Sequence, residues 1–361
     1  MKLSDFTQSR DNNFNLIRIA AAYAVLITHS FTLAIGTVDA EPFRDTLGMT
    51  IGSIAVDIFF LTSGFLVTAS LLTRQSTIEF VWARVLRIFP ALLAMLLLSV
   101  LGLGLFFTTV SWPAYFADPK IYTYFLKCLT LFGGVAYELP GVFEGNPYKN
   151  AVNGSLWTMP HELRMYALLA FIWASSRVTP RFRTKAFKIT VVSSALLAGL
   201  FLILNHLGLT KDGGNFLRLF FMFFSGAAFY ILKDRIVLSH IFFYISLVTL
   251  LLAVFDKHIF FFIYLATLAY ILFFVAYVPS GFIRKYNGLG DYSYGVYIYA
   301  FPVQQSTAAL LPGISVLYMV IISSVITLLF AVLSWHFLEK HALKLKGHCV
   351  NHTPKLWGRL R

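Results

Sequence analysis

The sequence predicts an all-α protein, a polytopic bundle of transmembrane helices with both termini in the cytoplasm. Hydrophobic residues make up 58% of the 361 residues and charged residues only 12%, which is more apolar surface than a water-soluble domain can cover. Apolar runs of about 20 residues recur along the chain, and an α-helix of that length crosses a bilayer. Lysine and arginine are concentrated in alternate loops between these runs, and this asymmetry gives the orientation.

Hydropathy predicts about ten spans. The first is interpreted as a retained span and not as a signal peptide, because Asp5 and Asp11 precede it and no small-residue cleavage site follows. The apolar stretch 121–134 is too short to cross a bilayer and is predicted to be interfacial or re-entrant. The predicted spans are 14–35, 50–72, 89–110, 153–175, 189–207, 215–232, 239–255, 259–278, 292–311 and 314–338.

The basic residues indicate on which side of the membrane each loop lies. The amino terminus, the loops after even-numbered spans and the carboxy-terminal tail hold 20 of the 29 lysines and arginines, whereas the other loops hold 6. Residues 1–345 are therefore predicted to form one transmembrane domain, followed by a basic cytoplasmic tail at 346–361. Lipid headgroups account for the formal charge of +13. Nucleic-acid binding is not predicted, since the basic residues are scattered over several loops.

The two cysteines, Cys128 and Cys349, are predicted to lie on opposite sides of the membrane and to remain unpaired. The sequence contains no metal-ligand spacing, so no metal is expected.

Arg18 and His29 interrupt the otherwise apolar first span. Ionisable residues inside a span usually face a cavity or a partner. Eleven residues correspond to about three helical turns, so the two side chains share a face but lie roughly 16 Å apart along the axis. This spacing favours a lined path over a salt bridge. The alternative assigns Arg18 to a lipid phosphate and His29 to an interhelical hydrogen bond.

The second span contains Asp57, a carboxylate that either pairs with a cation or orients an imidazole. Ser63 and Gly64, later in the same span, are interpreted as a close-packing pair. The fourth span begins with a cap at Asn153 or Ser155, a kink at Pro160 and the intramembrane carboxylate Glu162.

Arg84 and Arg87 lie three residues apart and share one helix face at the predicted cytoplasmic rim. Two guanidinium groups suit a phosphate ligand better than lysines do. The alternative is an ordinary topology anchor. Arg218, His336 and Glu339 lie nearer span ends and are interpreted as snorkelling residues.

Several motifs occur in a fixed order over residues 12–345. They are Arg18 with His29, "VDIFFLTSGFL" (56–66), Arg84 with Arg87, Ile88 and Pro90, "NGSLWTMPHELRMY" (153–166), "FFSGAAFY" (223–230), "LGDYSYGVYIYAFPVQQ" (289–305) and "SWHFLEKHALKLK" (334–346). Together they resemble the acyltransferase-3 family of integral membrane acyltransferases.

This resemblance implies transfer of an acyl group, usually acetyl, from a cytoplasmic acyl-CoA to a hydroxyl of a cell-surface or lipid-linked sugar. It also implies that Arg18 and His29 are needed for activity and that Arg84 and Arg87 bind coenzyme A. The sequence departs from the family at Ala300, where many relatives have histidine, and at His341, where proline is usual.

The mechanism expected from these residues is general-base catalysis by His29, with Glu162 or Asp57 orienting its imidazole. A covalent acyl-histidine relay is the alternative route. Arg18 is expected to line the inner mouth of a passage for the acyl-CoA arm. The expected location is the inner (cytoplasmic) membrane. O-antigen of lipopolysaccharide, capsule, exopolysaccharide, periplasmic glucan and peptidoglycan all remain possible acceptors.

A competing function is a transporter in which Arg18, His29 and Glu162 form a proton or anion path. That function predicts an inverted repeat, and none is visible in the sequence. A structural or regulatory membrane protein is the third reading, although it needs no paired arginines.

Overall fold

The computed structural model describes residues 1–9, 11–176, 183–211 and 213–359. Within this part of the chain the fold is all-α, and β-structure is limited to two isolated bridges, Lys2–Val237 and Thr108–Val142. The main helices are α1 (Phe14–Ile35), α2 (Ile51–Arg74), α3 (Thr77–Phe107), α4 (Pro119–Thr130), α5 (Met159–Ser175), α6 (Arg183–His206), α7 (Gly214–Ile231), α8 (His240–Ala253), α9 (Lys257–Tyr277), α10 (Ser293–Leu310), α11 (Val316–Ser334) and α12 (Lys346–Arg359).

Short helical segments join or precede these helices. They are Leu3–Phe6, Val38–Ala40, Arg44–Leu47, Trp112–Ala117, Gly154–Thr158, Gly281–Gly288, Trp335–Glu339 and Lys340–Lys344. Inside α3 the hydrogen bonding changes to a π-helix over Leu98–Leu103.

Seven of the described helices are long and apolar enough to cross a membrane. They are α1, α2, α3, α6, α7, α9 and the helix that starts as α11 and runs to Thr353. The prediction of a polytopic helical membrane protein is thus confirmed. The other three predicted spans coincide with helices that are shorter or more polar: α5 has 17 residues, α8 has 14 and α10 has 18.

Several predicted boundaries are confirmed. α8 and α9 are separate helices as predicted, although the break lies at 254–256 and not at 256–258. Asp256 caps α9 by accepting hydrogen bonds from the backbone N–H groups of His258 (2.8 Å) and Ile259 (3.0 Å). These bonds hold the pKa of the Asp256 carboxyl below its usual value. The stretch 121–134 contains only α4, which is 12 residues long.

The predicted kink at Pro160 is a change of helix type. The chain runs as a 3₁₀ helix over Gly154–Thr158 and becomes α-helical at Met159, so Pro160 lies in the first turn of α5. Proline fits there because its missing N–H has no intrahelical partner in that turn. The predicted loop between the fourth and fifth spans lies partly outside the described residues.

The chain divides into two compact units, and two of the five points at which it passes from one unit to the other lie inside α1 and α5. The first unit comprises Met1–Ala21, Phe43–Gln75 and Arg164–Gly290. The second comprises Ala22–Pro42, Ser76–Leu163 and Asp291–Arg361.

In the first unit, α2 and α7 approach each other closely at two glycines. A Cβ atom on Gly64 would lie 1.9 Å from the carbonyl oxygen of Phe223, and one on Gly226 would lie 2.0 Å from that of Leu61. Only glycine fits at either position, because any side chain would overlap backbone of the other helix. The prediction that Gly64 permits close packing is confirmed.

In the second unit, α10 is buried along most of its length. Asn146 donates hydrogen bonds to the backbone oxygen (2.9 Å) and the side-chain oxygen (2.7 Å) of Gln305, whose amide donates to the carbonyls of Tyr148 and Ala151. These bonds attach the loop that precedes α5 to α10.

The predicted basic tail is helical over Lys346–Arg359 and packs on α3. Lys346 forms an ion pair with Glu79 at 3.1 Å, and the indole N–H of Trp82 donates to the Thr353 hydroxyl at 2.8 Å. Both cysteines are free thiols, as predicted, and Cys128 is buried.

Candidate active site

The residues predicted for the site all lie on helices. Arg18 and His29 lie on α1, Asp57 on α2, Arg84 and Arg87 on α3, and Glu162 on α5. Arg18 and Asp57 belong to the first unit, and the other four belong to the second.

His29 has a half-buried ring that meets Phe301 of α10 edge-on, with ring centroids 5.4 Å apart and planes at 77°. Its Nδ1 atom is buried, and no atom of the described residues hydrogen-bonds to it. Buried polar atoms normally have partners, because an unsatisfied one loses the hydrogen bonds it made to water. Nδ1 is therefore uncommitted, and the interhelical hydrogen bond considered as an alternative is not made by this atom.

Gln304 of α10 fixes the helix that carries His29. Its amide nitrogen donates to the Leu26 carbonyl and to the Ser30 hydroxyl, both at 2.7 Å, and its side chain is fully buried. The Ser30 hydroxyl donates in turn to the Leu26 carbonyl at 3.0 Å. The position of α1 on α10 is thus fixed one turn before His29 and at the residue after it.

The start of α5, which carries Glu162, is also fixed to α10. Asn153 caps the preceding 3₁₀ turn by accepting from the Ser155 N–H at 3.1 Å, as predicted. The Tyr297 hydroxyl donates to the Ser155 carbonyl at 2.9 Å and lies 2.6 Å from the Thr158 hydroxyl.

Glu162 is half-buried and lies within electrostatic range of the hydroxyls of Tyr294 and Tyr297. It is not the hydrogen-bond partner of His29 at Nδ1, since that atom has none among the described residues. Its role in orienting the imidazole stays a prediction.

Asp57 is fully buried in the first unit and paired. Its Oδ2 atom accepts a hydrogen bond from the Tyr264 hydroxyl at 2.8 Å and an ion-pairing hydrogen bond from Arg218 of α7 at 3.4 Å. Oδ1 has no partner among the described residues. Of the two roles that the sequence left open, the structure shows the cation pair, while a role in orienting an imidazole stays a prediction.

Arg18 is half-buried, and its guanidinium carbon lies 5.7 Å from the centroid of the Phe59 ring on α2. A guanidinium at this distance from an aromatic face makes a cation–π contact. The requirement for Arg18 in activity stays a prediction.

Arg87 holds two carboxylates in the second unit. One terminal nitrogen lies 2.6 Å from Asp291 and the other 3.1 Å from the fully buried Glu339, to which Ser334 also donates at 3.0 Å. The guanidinium carbon lies 5.7 Å from the ring centroid of Tyr294 and 5.7 Å from that of Trp335. Phosphate binding by Arg84 and Arg87 stays a prediction, and the structure gives Arg87 a second, structural role.

Two residues were misassigned from the sequence. Arg218 and Glu339 were interpreted as snorkelling residues, but each forms an ion pair inside its unit. The signal available in the sequence was chemical complementarity, since an acid or base within a span requires a partner. Hydropathy could not identify that partner, because it does not show which helices are neighbours.

Comparisons with known proteins agree with the sequence motifs. Residues 11–336 match a family described as an acyltransferase domain, of the acyltransferase-3 type. The chain is 28% identical over 363 residues to an "O-acetyl transferase" of Shigella phage Sf6, covering 96% of this chain and 98% of that protein. It is 26% identical over 383 residues to "Nodulation protein 10" of Rhizobium leguminosarum bv. viciae, covering 96% and 97%. No solved structure matches the chain. The match over most of its length shows that this chain belongs to the acyltransferase-3 family.

Proposed function

We propose that the protein is a membrane O-acetyltransferase of the inner (cytoplasmic) membrane. It transfers an acetyl group from cytoplasmic acetyl-CoA to a sugar hydroxyl of a cell-surface polysaccharide or of its lipid-linked precursor. Membership of an acyltransferase family supports the reaction class. The name of the phage relative supports acetyl as the group and oxygen as the atom that receives it.

The observation that carries the proposal is the uncommitted Nδ1 atom of His29. A general base needs a nitrogen lone pair that no protein group already occupies. Burial favours the neutral imidazole, which is the form able to accept a proton. Phe301 and the Gln304 bonds restrict the ring and its helix, so the base is held in place before the acceptor arrives.

The proposed reaction is a direct acyl transfer with His29 as the base. His29 takes the proton of the sugar hydroxyl while that oxygen attacks the thioester carbonyl carbon of acetyl-CoA, forming the C–O bond of the ester. The carbon–sulfur bond then breaks, and coenzyme A leaves as a thiolate. The imidazolium returns its proton to the thiolate, which restores neutral His29 and releases free coenzyme A thiol.

The proposed binding site for the acyl donor rests on the charge of two arginines. Arg84 and Arg87 lie on α3 at the end predicted to be cytoplasmic, where the phosphates of coenzyme A arrive. Both arginines are assigned to the phosphate contact, and Arg87 also binds two carboxylates. Arg18 is assigned to the donor path on the basis of the family resemblance.

Glu162 is the better candidate to support His29 electrostatically. It belongs to the same compact unit as His29, and a carboxylate that reaches an imidazolium stabilises it. Asp57 already neutralises Arg218, and its Oδ2 atom also accepts from Tyr264.

Reconstitution tests the function directly. Purified protein in proteoliposomes is supplied with radiolabelled acetyl-CoA and with surface glycan that has been de-O-acylated by mild alkali. The glycan comes from producing cells that lack the protein. We expect label in the glycan and release of free thiol in equal amounts, and neither product with His29→Asn.

Mass analysis of surface polysaccharide from cells with and without the protein supplies the second readout. We expect a difference of one acetyl group per modified unit. Unchanged polysaccharide together with no transfer in vitro would contradict the proposed function.

A further inference from the structure

The second unit contains a cleft of about 480 Å³ near the carboxyl end of α10. This volume is in the range of about 300–1,000 Å³ that is usual for small-molecule sites. The cleft is bounded by Phe107 and Thr109 after α3, by the loop 141–147, and by Ala308, Ala309, Pro312 and Gly313 at the end of α10. The charge distribution predicts that all three segments face outward.

The electrostatics of the cleft exclude the acyl donor. Glu144 is the only charged residue among the described residues that line it, and no lysine or arginine is present there. A carboxylate without a cation repels the phosphates of coenzyme A. The ligand that this cleft takes is therefore neutral or cationic.

The chemistry of the walls suits a polyhydroxylated ring. The Glu144 carboxylate is exposed, and the Thr109 hydroxyl donates to one of its oxygens at 3.1 Å, so the remaining lone pairs accept from ligand hydroxyls. The rings of Phe107 and Phe143 lie 4.9 Å apart at 47° and form an apolar wall. A few polar groups against an aromatic wall are typical of sites that orient a ligand.

The loop is held rigidly in its position. Gly141 has a φ of 69°, and a Cβ there would lie 2.7 Å from the Thr109 nitrogen, whose N–H donates to the Gly141 carbonyl at 3.0 Å. Phe143 has a φ of 60°, which is rare for a residue with a side chain and persists only where the surroundings enforce it. The Asn146 side chain then ties the loop to Gln305 of α10. A wall fixed in advance loses little entropy when a ligand binds.

Within the second unit, packing contacts connect the walls of the cleft to the surroundings of His29. Gly36, which follows the end of α1, lies against Pro147 of the cleft wall, where a Cβ would be 2.8 Å from the Pro147 carbonyl oxygen. Seven residues separate Gly36 from His29, a rise of about 10 Å along the helix. Ala308 lines the cleft and also packs in one cluster with Leu33 and Phe301, the residue that contacts His29.

We infer that this cleft is a glycan-binding subsite for the acceptor. It holds a sugar unit close to the one that is acetylated, with sugar hydroxyls donating to Glu144 and the carbon face of the ring on Phe107, which the buried Phe143 ring supports from behind. The inference rests on the proposed function for its choice of ligand.

Substitution of Glu144, with a matched control in the same outward region, tests the subsite. Glu144→Gln removes the charge and keeps the size, while Glu138→Gln makes the same change at an exposed glutamate that pairs with Lys120 at 3.5 Å and does not line the cleft. The probe is the de-O-acylated surface glycan, titrated in proteoliposomes at saturating acetyl-CoA.

For Glu144→Gln we expect the KM for the glycan to rise about tenfold or more, the usual effect of losing a hydrogen bond to a charged group. The KM for acetyl-CoA is the internal reference and should stay within about twofold of wild type. Glu138→Gln should behave as wild type in both titrations. A glycan KM within about twofold of wild type for Glu144→Gln, or equal changes in both variants, would overturn the inference.

Direct binding separates failure of the subsite from failure of the proposed function. If wild-type protein transfers no acetyl group, calorimetric titration of the same glycan into detergent-solubilised protein shows whether the cleft binds it. Binding that is weakened by Glu144→Gln and retained by Glu138→Gln supports the cleft even without catalysis. Binding that is absent, or equal in both variants, rejects it.

Discussion

Asp57 in the first unit and His29 in the second are both polar groups in the membrane-spanning part of the chain, yet their surroundings differ. Asp57 is fully buried, and its Oδ2 atom accepts from Tyr264 and Arg218. His29 is held by packing against Phe301, and its Nδ1 has no partner among the described residues. Asp57 is thus tied to two other helices through Oδ2, although its Oδ1 also has no partner among the described residues, whereas no described residue hydrogen-bonds to Nδ1 of His29. This difference supports a structural role for Asp57 and agrees with the chemical role proposed for His29.

The largest expected effect on stability is at Arg218. Arg218→Ala leaves the Asp57 carboxylate buried without its cation, and we expect a loss of about 3–5 kcal/mol of stability. Thermal unfolding in detergent, followed by loss of the monodisperse protein peak, measures this loss. The double variant Arg218→Ala with Asp57→Asn should recover part of it, because no uncompensated charge remains. An unfolding midpoint for Arg218→Ala equal to that of wild type would remove the structural role from the pair.

A similar test applies to Arg87, and it distinguishes the role of Arg87 from that of Arg84, which lies on the same helix face. Arg87→Ala leaves Glu339 buried and unpaired, so we expect a loss of stability on the order of 3–5 kcal/mol. Arg84→Lys should fold normally and raise the KM for acetyl-CoA about tenfold, since an ammonium does not reproduce a bidentate guanidinium contact. If Arg84→Lys saturates with acetyl-CoA as wild type does, both arginines return to the role of structural and topology residues.

A smaller loss of stability is expected when the packing that brings Asp57 and Arg218 together is disturbed. Gly64→Ala places a methyl group against the backbone of Phe223, so α2 and α7 must move apart, at a cost of about 1–3 kcal/mol. Gly347→Ala on α12 is the matched control, because a Cβ there meets nothing within 4 Å. Equal unfolding midpoints for the two variants would show that the close approach of α2 and α7 is not needed.

The smallest expected effect is the labelling of Cys128, a thiol in the outward region. Burial raises the pKa of this thiol to about 11, so the reactive thiolate is scarce near neutral pH. Cys128 should resist an impermeant maleimide in intact cells and react only on denaturation or above its raised pKa, as mass spectrometry can show. Rapid labelling of Cys128 in native membranes would contradict the packing of this region.

The sequence predicted the helices more fully than their contacts. Apolar runs of span length located ten helices, and the polar residues at 256–258 marked the division between α8 and α9 to within two residues. The partners of Arg218 and Glu339 were not predicted, because a hydropathy pattern orders spans along the chain without pairing them. Gln304 was visible only as a polar residue in a span, and its bonds to Leu26 and Ser30 depend on the packing of α10 on α1.

His29 shows the opposite limit. Its position inside the first span marked it as exceptional, whereas the absence of a described partner at Nδ1 is visible only in three dimensions. The cleft beside Glu144 was not predicted at all, since its walls come from three segments that are distant in the sequence.

The proposed catalytic role of His29 is tested by comparing His29→Asn with Asp57→Asn in one preparation, with acetyl transfer and the unfolding midpoint measured on both proteins. We expect His29→Asn to lower transfer by about two to four orders of magnitude, the usual contribution of a general base. Its midpoint should stay within about 1 °C of wild type, which is roughly the shift of a 1 kcal/mol change in a chain of 361 residues. Asp57→Asn should lower the midpoint clearly. Transfer by His29→Asn above about a tenth of the wild-type rate would be far more than the activity expected to remain after loss of a general base. That result, or unfolding of His29→Asn at as low a temperature as Asp57→Asn, would contradict a chemical role for His29 that is separate from the structural role of Asp57.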